Sequence, residues 1–302
     1  MRLDHVRDWL GSADVDVLCL QELKLSNDKY PFDALREIGV SLIGQTDRLV
    51  PADKKLYALR DVTATVESIP LITASIMSKK LAEGLNRLVL DVKWGSGAFM
   101  KTQEEAHRLA HSLVTVGEAM GVRSSVRLSE MNEPTGESAG NALEVAECVR
   151  CLKGEGPQDL EDIVLDLASA VSVSSRSDLA AMLHRGDAWR KFQKMVAAQG
   201  GNVDALEKMA TVHRAPFIGE LKATVSGTLT RMDAGGIGQA VLELGAGRSK
   251  AADPIDYAVG CDQIAKTGTH VQTGDVLLRV HARTKGALFR TLDILGECIH
   301  II

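Results

Sequence analysis

The spacing of apolar positions along the chain alternates between helical and strand-like periods. Apolar residues from Lys54 to Gly84 recur every three to four positions, which predicts two helices. The second of these should start at Pro70 and end at Gly84, since proline favours the first helical turn and glycine the position after the last one. A short apolar run from Val40 to Gly44 predicts a strand before the first helix, and Asp16–Leu23 predicts another strand further upstream.

A strand–helix–strand unit follows the second helix. Leu85–Trp94 and 121–130 have strand character, and the segment between them has helical spacing. Thr102 and Glu105 form the sequence signature of a capping box at the start of that helix. The unit is therefore expected to be a βαβ element with parallel strands.

The pattern of apolar residues then changes twice along the chain. Residues 139–211 are mostly helical in pattern, whereas 219–233 and 268–282 are short alternating runs interrupted by glycine. We predict an α/β fold consisting of a partial helical lobe, an α/β domain and a β-rich C-terminal subdomain. The predicted boundaries are 1–39 for an N-terminal fragment, 40–86 for the partial lobe, 87–213 for the α/β domain and 214–302 for the C-terminal subdomain.

Composition narrows the functional classes. The 302 residues are 45% hydrophobic and 25% charged, with a net charge of −5 and 4% aromatic residues. Neither a basic patch for a phosphate backbone nor stacking platforms for bases are indicated, so we expect no nucleic-acid partner. The charged N-terminal segment is unlike a signal peptide and no apolar run approaches the roughly 20 residues of a membrane span, so we expect a cytoplasmic protein without a membrane partner.

Two spacings could indicate metal sites but fit helix surfaces better. Cys148 and Cys151 form a C-x-x-C within a segment of helical spacing, with no second Cys or His pair nearby. His107 and His111 are four residues apart without a third ligand. We predict ordinary helix positions for all four residues and no metal site.

Blocks of sequence from residue 40 to about 285 resemble the thymidine phosphorylases and related pyrimidine-nucleoside phosphorylases. The resemblance is carried by IGQTDRLVPADKKLYALRD, TASIMSKKLAEG, LVLDVKWGSGAFM, GNALEVAE, KMVAAQGG, LELGAGRSKAADPIDYAVG and GDVLLRVHA, in that order. It implies reversible phosphorolysis of thymidine or a related nucleoside to the free base and 2-deoxyribose 1-phosphate.

The resemblance also implies a base-binding site. Its pyrimidine-holding residues correspond to Arg60, Ser75 and Lys79, and Phe99 corresponds to an apolar residue against the base. Ser75 and Lys79 are four residues apart and would share one helix face. Negative charge builds on the pyrimidine as it leaves, so Arg60 and Lys79 would be catalytic as cations that stabilise the departing base.

Phosphate binding departs from the family pattern. The family holds phosphate with a Lys-His-Ser-Thr-Gly-Gly loop and with a Ser-Gly-Arg stretch followed by Gly-Gly-Thr-x-Asp, and neither occurs here. We therefore expect impaired turnover, as in a truncated phosphorylase. The alternative is a non-catalytic remnant that binds pyrimidine or pairs with an intact subunit.

Residues 1–39 are similar to a different family. The segment RLDHVRDWLGSADVDVLCLQELKLSNDKYPFDALREIG resembles the start of exonuclease III and the apurinic endonucleases, in which the Glu of Leu-Gln-Glu binds magnesium. The corresponding residue is Glu22. The later Gly-Asp-x-Asn and Ser-Asp-His motifs are absent from the sequence, and one carboxylate cannot organise a magnesium ion for phosphodiester cleavage. We interpret Asp33–Thr46 as the seam of a fusion and Glu22 as a vestigial ligand.

The implied ligands follow from the phosphorylase resemblance. They are a pyrimidine nucleoside and phosphate as co-substrate, with no organic cofactor and with a second copy of the chain as a candidate dimer partner. The family also places a structural monovalent cation near backbone carbonyl groups of the Leu-Glu-Leu-Gly-Ala-Gly block, residues 242–247.

Overall fold

The structure is a computed structural model that describes residues 19–20, 37–40, 42–43, 50–53, 55–56, 65–248 and 253–302. Its strands are β1 Cys19–Leu20, β2 Leu42–Ile43, β3 Arg87–Trp94, β4 Arg123–Glu130, β5 Phe217–Lys222, β6 Gly227–Met232, β7 Gly260–Asp262, β8 His270–Val271, β9 Val276–Ala282 and β10 Ile299–Ile301. Its helices are α1 Ile69–Ala82, α2 Gln103–Ala119, α3 Asn141–Leu152, α4 Gln158–Val171, α5 Arg176–His184, α6 Asp187–Ala198, α7 Val203–Glu207, α8 Met209–Val212, α9 Ala234–Val241 and α10 Lys285–Glu297. Within these described ranges, no helix is both long and apolar enough to cross a lipid bilayer.

Strands β1 and β2 pair in parallel, with Cys19 opposite Leu42. Helix α6 and Gln199, the residue that follows it, bond backbone groups of β2 and of Ile38. The Gln199 side chain accepts a hydrogen bond from the Leu42 amide at 3.1 Å and donates one to the Leu42 carbonyl at 2.6 Å. The Lys191 ammonium donates to the Ile38 carbonyl at 2.7 Å. Strand β1, upstream of the predicted seam, therefore pairs with β2 inside it, and backbone inside the seam bonds Lys191 and Gln199.

The βαβ unit is confirmed. Strands β3 and β4 are parallel in continuous register, from Arg87 opposite Arg123 to Trp94 opposite Glu130. Helix α2 begins with the predicted reciprocal capping box, in which the Thr102 hydroxyl accepts from the amide of residue 105 and the side chain of that residue accepts from the Thr102 amide. One core joins α1, β3, α2 and the start of β4; its buried members are Ile72, Met77, Leu88, Val92, Met100, Ala106, Leu109, Leu113 and Val122.

Helical structure begins earlier than the pattern predicts. Residues 51–53 and 55–56 are helical, whereas the apolar spacing places the first helix from Lys54 onward. Proline at a helix start has its missing N–H where no intrahelical bond is needed, which explains the earlier start. From residue 141 to 212 the chain forms helices α3 to α8, in agreement with the predicted helical region.

The C-terminal part contains two three-stranded sheets, with strand orders β5-β9-β7 and β10-β6-β8, and all their pairings are antiparallel. Residues 276–282 form β9, as predicted; Leu278, Val280 and Ala282 are fully buried on one face, and Leu277 and His281 are also buried on the other. Helices α9 and α10 pack on the same core and were not expected. Helix α9 has three glycines and only eight residues, so its pattern is weak.

Two glycines allow the α/β part to cross the C-terminal sheets closely. Ala139 and Cys261 exchange backbone hydrogen bonds of 2.9 and 2.7 Å. Beside them, Gly140 and Gly260 have φ angles of 132° and 149°. The Cα of Gly140 would lie only 2.9 Å from a Cβ at Gly260, so this crossing has no room for a side chain.

Candidate functional site

Helix α1 presents Ser75 and Lys79 on one face. The helix begins at Ile69, one residue before the predicted start, has Pro70 in its first turn, and is followed by Gly84 with a φ of 72°. The Lys79 ammonium donates a 2.8 Å hydrogen bond to the Ser75 hydroxyl. Residues four apart on a helix are neighbours, and here that spacing brings a cation and a hydroxyl together.

A carboxylate completes this group and was not predicted. The Lys79 ammonium also donates to Asp53 Oδ2 at 2.7 Å, and Asp53 is 8% exposed. An ammonium has three N–H donors, so Lys79 can bond Asp53, Ser75 and a ligand oxygen at once. Asp53 precedes Lys79 by 26 residues, and no local period links the two positions. Only the folded chain reveals the contact.

Phe99 lies on a different element, the loop after the carboxyl end of β3. Its side chain is 58% exposed, whereas the next residue, Met100, is 4% exposed. Met100 shares its core with Ile72 and Met77 of α1. The loop with the predicted apolar wall and the helix with the predicted cation are therefore anchored in one core.

Two of the residues singled out by the resemblances cannot be placed. Arg60 and Glu22 lie outside the described residues. Their roles stay predictions.

The cysteine and histidine pairs lie on helices, as predicted. Cys148 and Cys151 belong to α3 and His107 and His111 to α2, where both histidines are exposed. Across the ranges the structure describes, no three His, Cys, Asp or Glu side chains group as metal ligands.

The Leu-Glu-Leu-Gly-Ala-Gly block forms a π-helical turn, Leu242–Ala246, in which Gly245 has a φ of 102°. The Gly245 carbonyl accepts from the Asp256 amide at 2.9 Å, and the Ala246 carbonyl accepts from the Asn141 side chain at 2.7 Å. Carbonyl oxygens are ligands that suit hard cations and each has a second lone pair; the monovalent cation itself stays a prediction.

Glu83, at the end of α1, is a buried carboxyl group. It is 2% exposed, and burial raises its pKa from 4.5 to about 7. The Lys80 ammonium, 3.4 Å from Oε1, acts in the opposite direction without cancelling the effect of burial. Near neutral pH, part of the protein population thus carries a protonated, neutral Glu83 at the end of α1.

Replacing Glu83 with glutamine is expected to remove a pH dependence of stability. The pKa of Glu83 is higher in the folded chain than in the unfolded chain, so the folded chain holds its proton more tightly. The stability that results is fully present below about pH 4.5 and is lost as pH rises through about 7. Glu83→Gln should therefore be more stable than the wild type by about 2–3 kcal/mol at pH 8 and nearly equal to it at pH 4. Urea unfolding at both pH values measures this difference. The exposed Glu155→Gln is the control, and parallel pH profiles for wild type and Glu83→Gln would contradict the assignment.

Comparison with known proteins gives the family of the chain. The profile of the glycosyl transferase family, a/b domain, matches residues 8–188, and the profile of the pyrimidine nucleoside phosphorylase C-terminal domain matches residues 228–301. Thymidine phosphorylase of Burkholderia cenocepacia (strain HI2424) is 45% identical over 280 residues, which cover 87% of this chain and 64% of that protein. Pyrimidine-nucleoside phosphorylase of Staphylococcus aureus (strain USA300) is 44% identical over 257 residues, which cover 82% and 59%.

The chain spans less than two thirds of the length of these relatives. The first profile begins at residue 8, inside the 1–39 segment, so the exonuclease-like origin of that segment stays a prediction. With the family profile covering more than half of the sequence, the chain belongs to the glycosyl transferase family and, within it, to the thymidine and pyrimidine-nucleoside phosphorylases.

Proposed function

We propose that the chain acts in the phosphorolysis of pyrimidine nucleosides, in which thymidine and phosphate give thymine and 2-deoxyribose 1-phosphate. The observation that carries the proposal is the Lys79 ammonium, held by the Asp53 carboxylate and the Ser75 hydroxyl. Relatives at 44–45% identity that are named thymidine phosphorylase and pyrimidine-nucleoside phosphorylase support the same reaction.

The chemistry needs a cation at the leaving base. The bond between the sugar C1′ and the pyrimidine N1 breaks with its electron pair moving to the base, while a phosphate oxygen forms the new bond to C1′. Lys79 is fixed by two partners before the substrate arrives, so it can stabilise the developing negative charge without first reorganising. Ser75 would orient a pyrimidine carbonyl or N–H through its hydroxyl group, which can donate and accept.

Arg60 and Phe99 complete the proposed base site through the family resemblance. Arg60 would supply a second cation toward the pyrimidine, and the exposed Phe99 ring would form the apolar wall. An aromatic ring against the base adds contact area and favours offset stacking.

The direct test follows thymine release from thymidine by the purified chain with and without phosphate. Phosphate-dependent release supports the proposal, and release at an ordinary enzymatic rate, about 1–1,000 per second, contradicts the prediction of impaired turnover. Thymine binding by calorimetry without any release favours the alternative, a non-catalytic pyrimidine-binding chain. A folded chain with neither binding nor release refutes the proposed function.

Association and location belong to the same proposal. We propose that the chain forms a homodimer in the cytoplasm, with the nucleoside and phosphate as its small-molecule partners. Sedimentation measurements on the purified chain test the dimer.

For residues 1–39 we propose no nuclease function. The reason is the single carboxylate of the exonuclease-type motif, Glu22, which cannot by itself position both a magnesium ion and a water molecule. Glu22→Ala is expected to leave thymidine cleavage and thymine binding unchanged. Magnesium-dependent DNA cleavage by the wild type that disappears in this variant would overturn the interpretation.

A further inference from the structure

The loop that carries Phe99 packs closely against two other segments, the end of β4 and the start of α9. Gly95 has a φ of 117°, and a Cβ there would lie 2.6 Å from Asn132 Oδ1. A Cβ at Gly97 would lie 2.8 Å from the Ala234 Cβ, and one at Gly235 would lie 2.7 Å from the Ser96 carbonyl oxygen. Three glycines thus allow residues 95–99 to fit between the end of β4 and the start of α9.

Asn132 connects these elements through both its side chain and its backbone. Its Oδ1 accepts from the Ser96 amide at 2.9 Å, and its carbonyl accepts from the Ser96 hydroxyl at 3.2 Å and from the Ala234 amide at 3.0 Å. Its Nδ2 donates to Glu130 Oε1, which fixes the orientation of the amide group. One residue therefore bonds the loop, the end of β4 and the first residue of α9.

The loop is also held from its other side. The Lys101 ammonium donates to the carbonyl groups of Ser96 and Ala98 at 3.2 and 2.6 Å. The buried Met100 follows Phe99 directly. Phe99 is thus an exposed aromatic residue in a loop whose neighbouring backbone groups are bonded, so little conformational freedom remains to be lost when a flat ligand binds.

We infer that Asn132 is a positioning residue for pyrimidine binding, which acts by holding the 95–99 loop so that Phe99 meets the base. This inference rests on the proposed function and adds a residue to which the family resemblance gave no role. Asn132 would not touch the base itself; it acts through the Ser96 amide. Its loss should therefore weaken binding only while the Phe99 ring is present.

A double-mutant cycle with Phe99 tests this mechanism. The probe is thymine, and its Kd is measured by calorimetry for the wild type, Asn132→Ala, Phe99→Ala and the double variant. Loss of the Ser96 bond should weaken thymine binding about 3- to 10-fold when Phe99 is present. It should change the Kd by less than about twofold when Phe99 is alanine.

Glu133→Gln is the matched control. Glu133 is the next residue along, but its carboxylate accepts from the Thr267 amide, at 2.8 Å, on the C-terminal side. It should keep the wild-type Kd to within about twofold, since it leaves the Ser96 bonds intact. An equal loss of affinity for Asn132→Ala with and without Phe99, or no loss at all, would overturn the positioning role.

Amide hydrogen exchange without ligand separates this inference from the proposed function. Asn132→Ala should accelerate exchange at the Ser96 amide, while the amides of β3 keep their protection. Wild-type protein that binds no thymine would refute the proposed function. In that case unchanged Ser96 protection in the variant would overturn the loop-holding role as well.

Discussion

Lys79→Ala is expected to reduce thymidine cleavage by about 100- to 1,000-fold, the usual effect of removing one preorganised stabiliser of a developing negative charge. The ammonium is held at 2.7 Å from Asp53 and 2.8 Å from Ser75, and the substitution removes the cation from that position. Thymine binding should fall less than cleavage, because the base is fully charged only as the bond breaks. Initial rates of thymine release and calorimetric Kd values measure the two effects.

The control for Lys79→Ala must separate the loss of the cation from the effect on Asp53, whose side chain is only 9% exposed. Removing its partner leaves a buried carboxylate unpaired, at a cost of about 3–5 kcal/mol, so the single variant could lose activity through unfolding. Asp53→Asn combined with Lys79→Ala removes that unpaired charge. If the double variant folds like the wild type and regains thymidine cleavage, the role assigned to Lys79 is wrong.

Gly260→Ala is expected to destabilise the chain by about 3–5 kcal/mol, because it combines backbone strain with overpacking. The φ of Gly260 is 149°, and a Cβ there would lie 2.2 Å from the Ala139 carbonyl oxygen. That oxygen accepts the Cys261 amide at 2.7 Å, so moving it away would break the bridge between the α/β part and strand β7. Urea unfolding gives the change in the free energy of unfolding.

Gly268→Ala separates the two contributions to this cost. Gly268 also has a positive φ, 86°, but no atom lies within 4 Å of a Cβ built there. It should cost only about 1–2 kcal/mol, the penalty of the left-handed backbone alone. Similar costs at the two positions would show that contact with Ala139 is unimportant.

The predictable part of the fold consists of elements whose signals are local. The capping box at Thr102 and Pro70 at the start of α1 act within one helical turn, and both are found where the sequence predicts them. The strand pattern of β9 is likewise local, although both of its faces are buried, at Leu277 and Leu278 and at 280–282. Helix α9 escaped prediction because its stability comes from packing on the C-terminal core, with Ile237 and Ala240 fully buried.

The site divides in the same way. The spacing of Ser75 and Lys79 predicts a shared helix face, since it is a property of the helix alone. Asp53 could not be assigned, since its contact with Lys79 depends on how two separate helical segments pack. Asn132 is similarly remote from Ser96, by 36 residues, and its bond depends on how the ends of β3 and β4 are arranged.

The pairing of Gln199 with Leu42 has a consequence for association between chains. Strand β2 pairs with β1 along one side, and the Gln199 amide group bonds both the N–H and the C=O of Leu42. An unpaired strand edge is a template on which another polypeptide can add a strand, and this is a common route to aggregation. A single carboxamide here imitates one residue of a neighbouring strand and occupies the position that such a strand would take at Leu42.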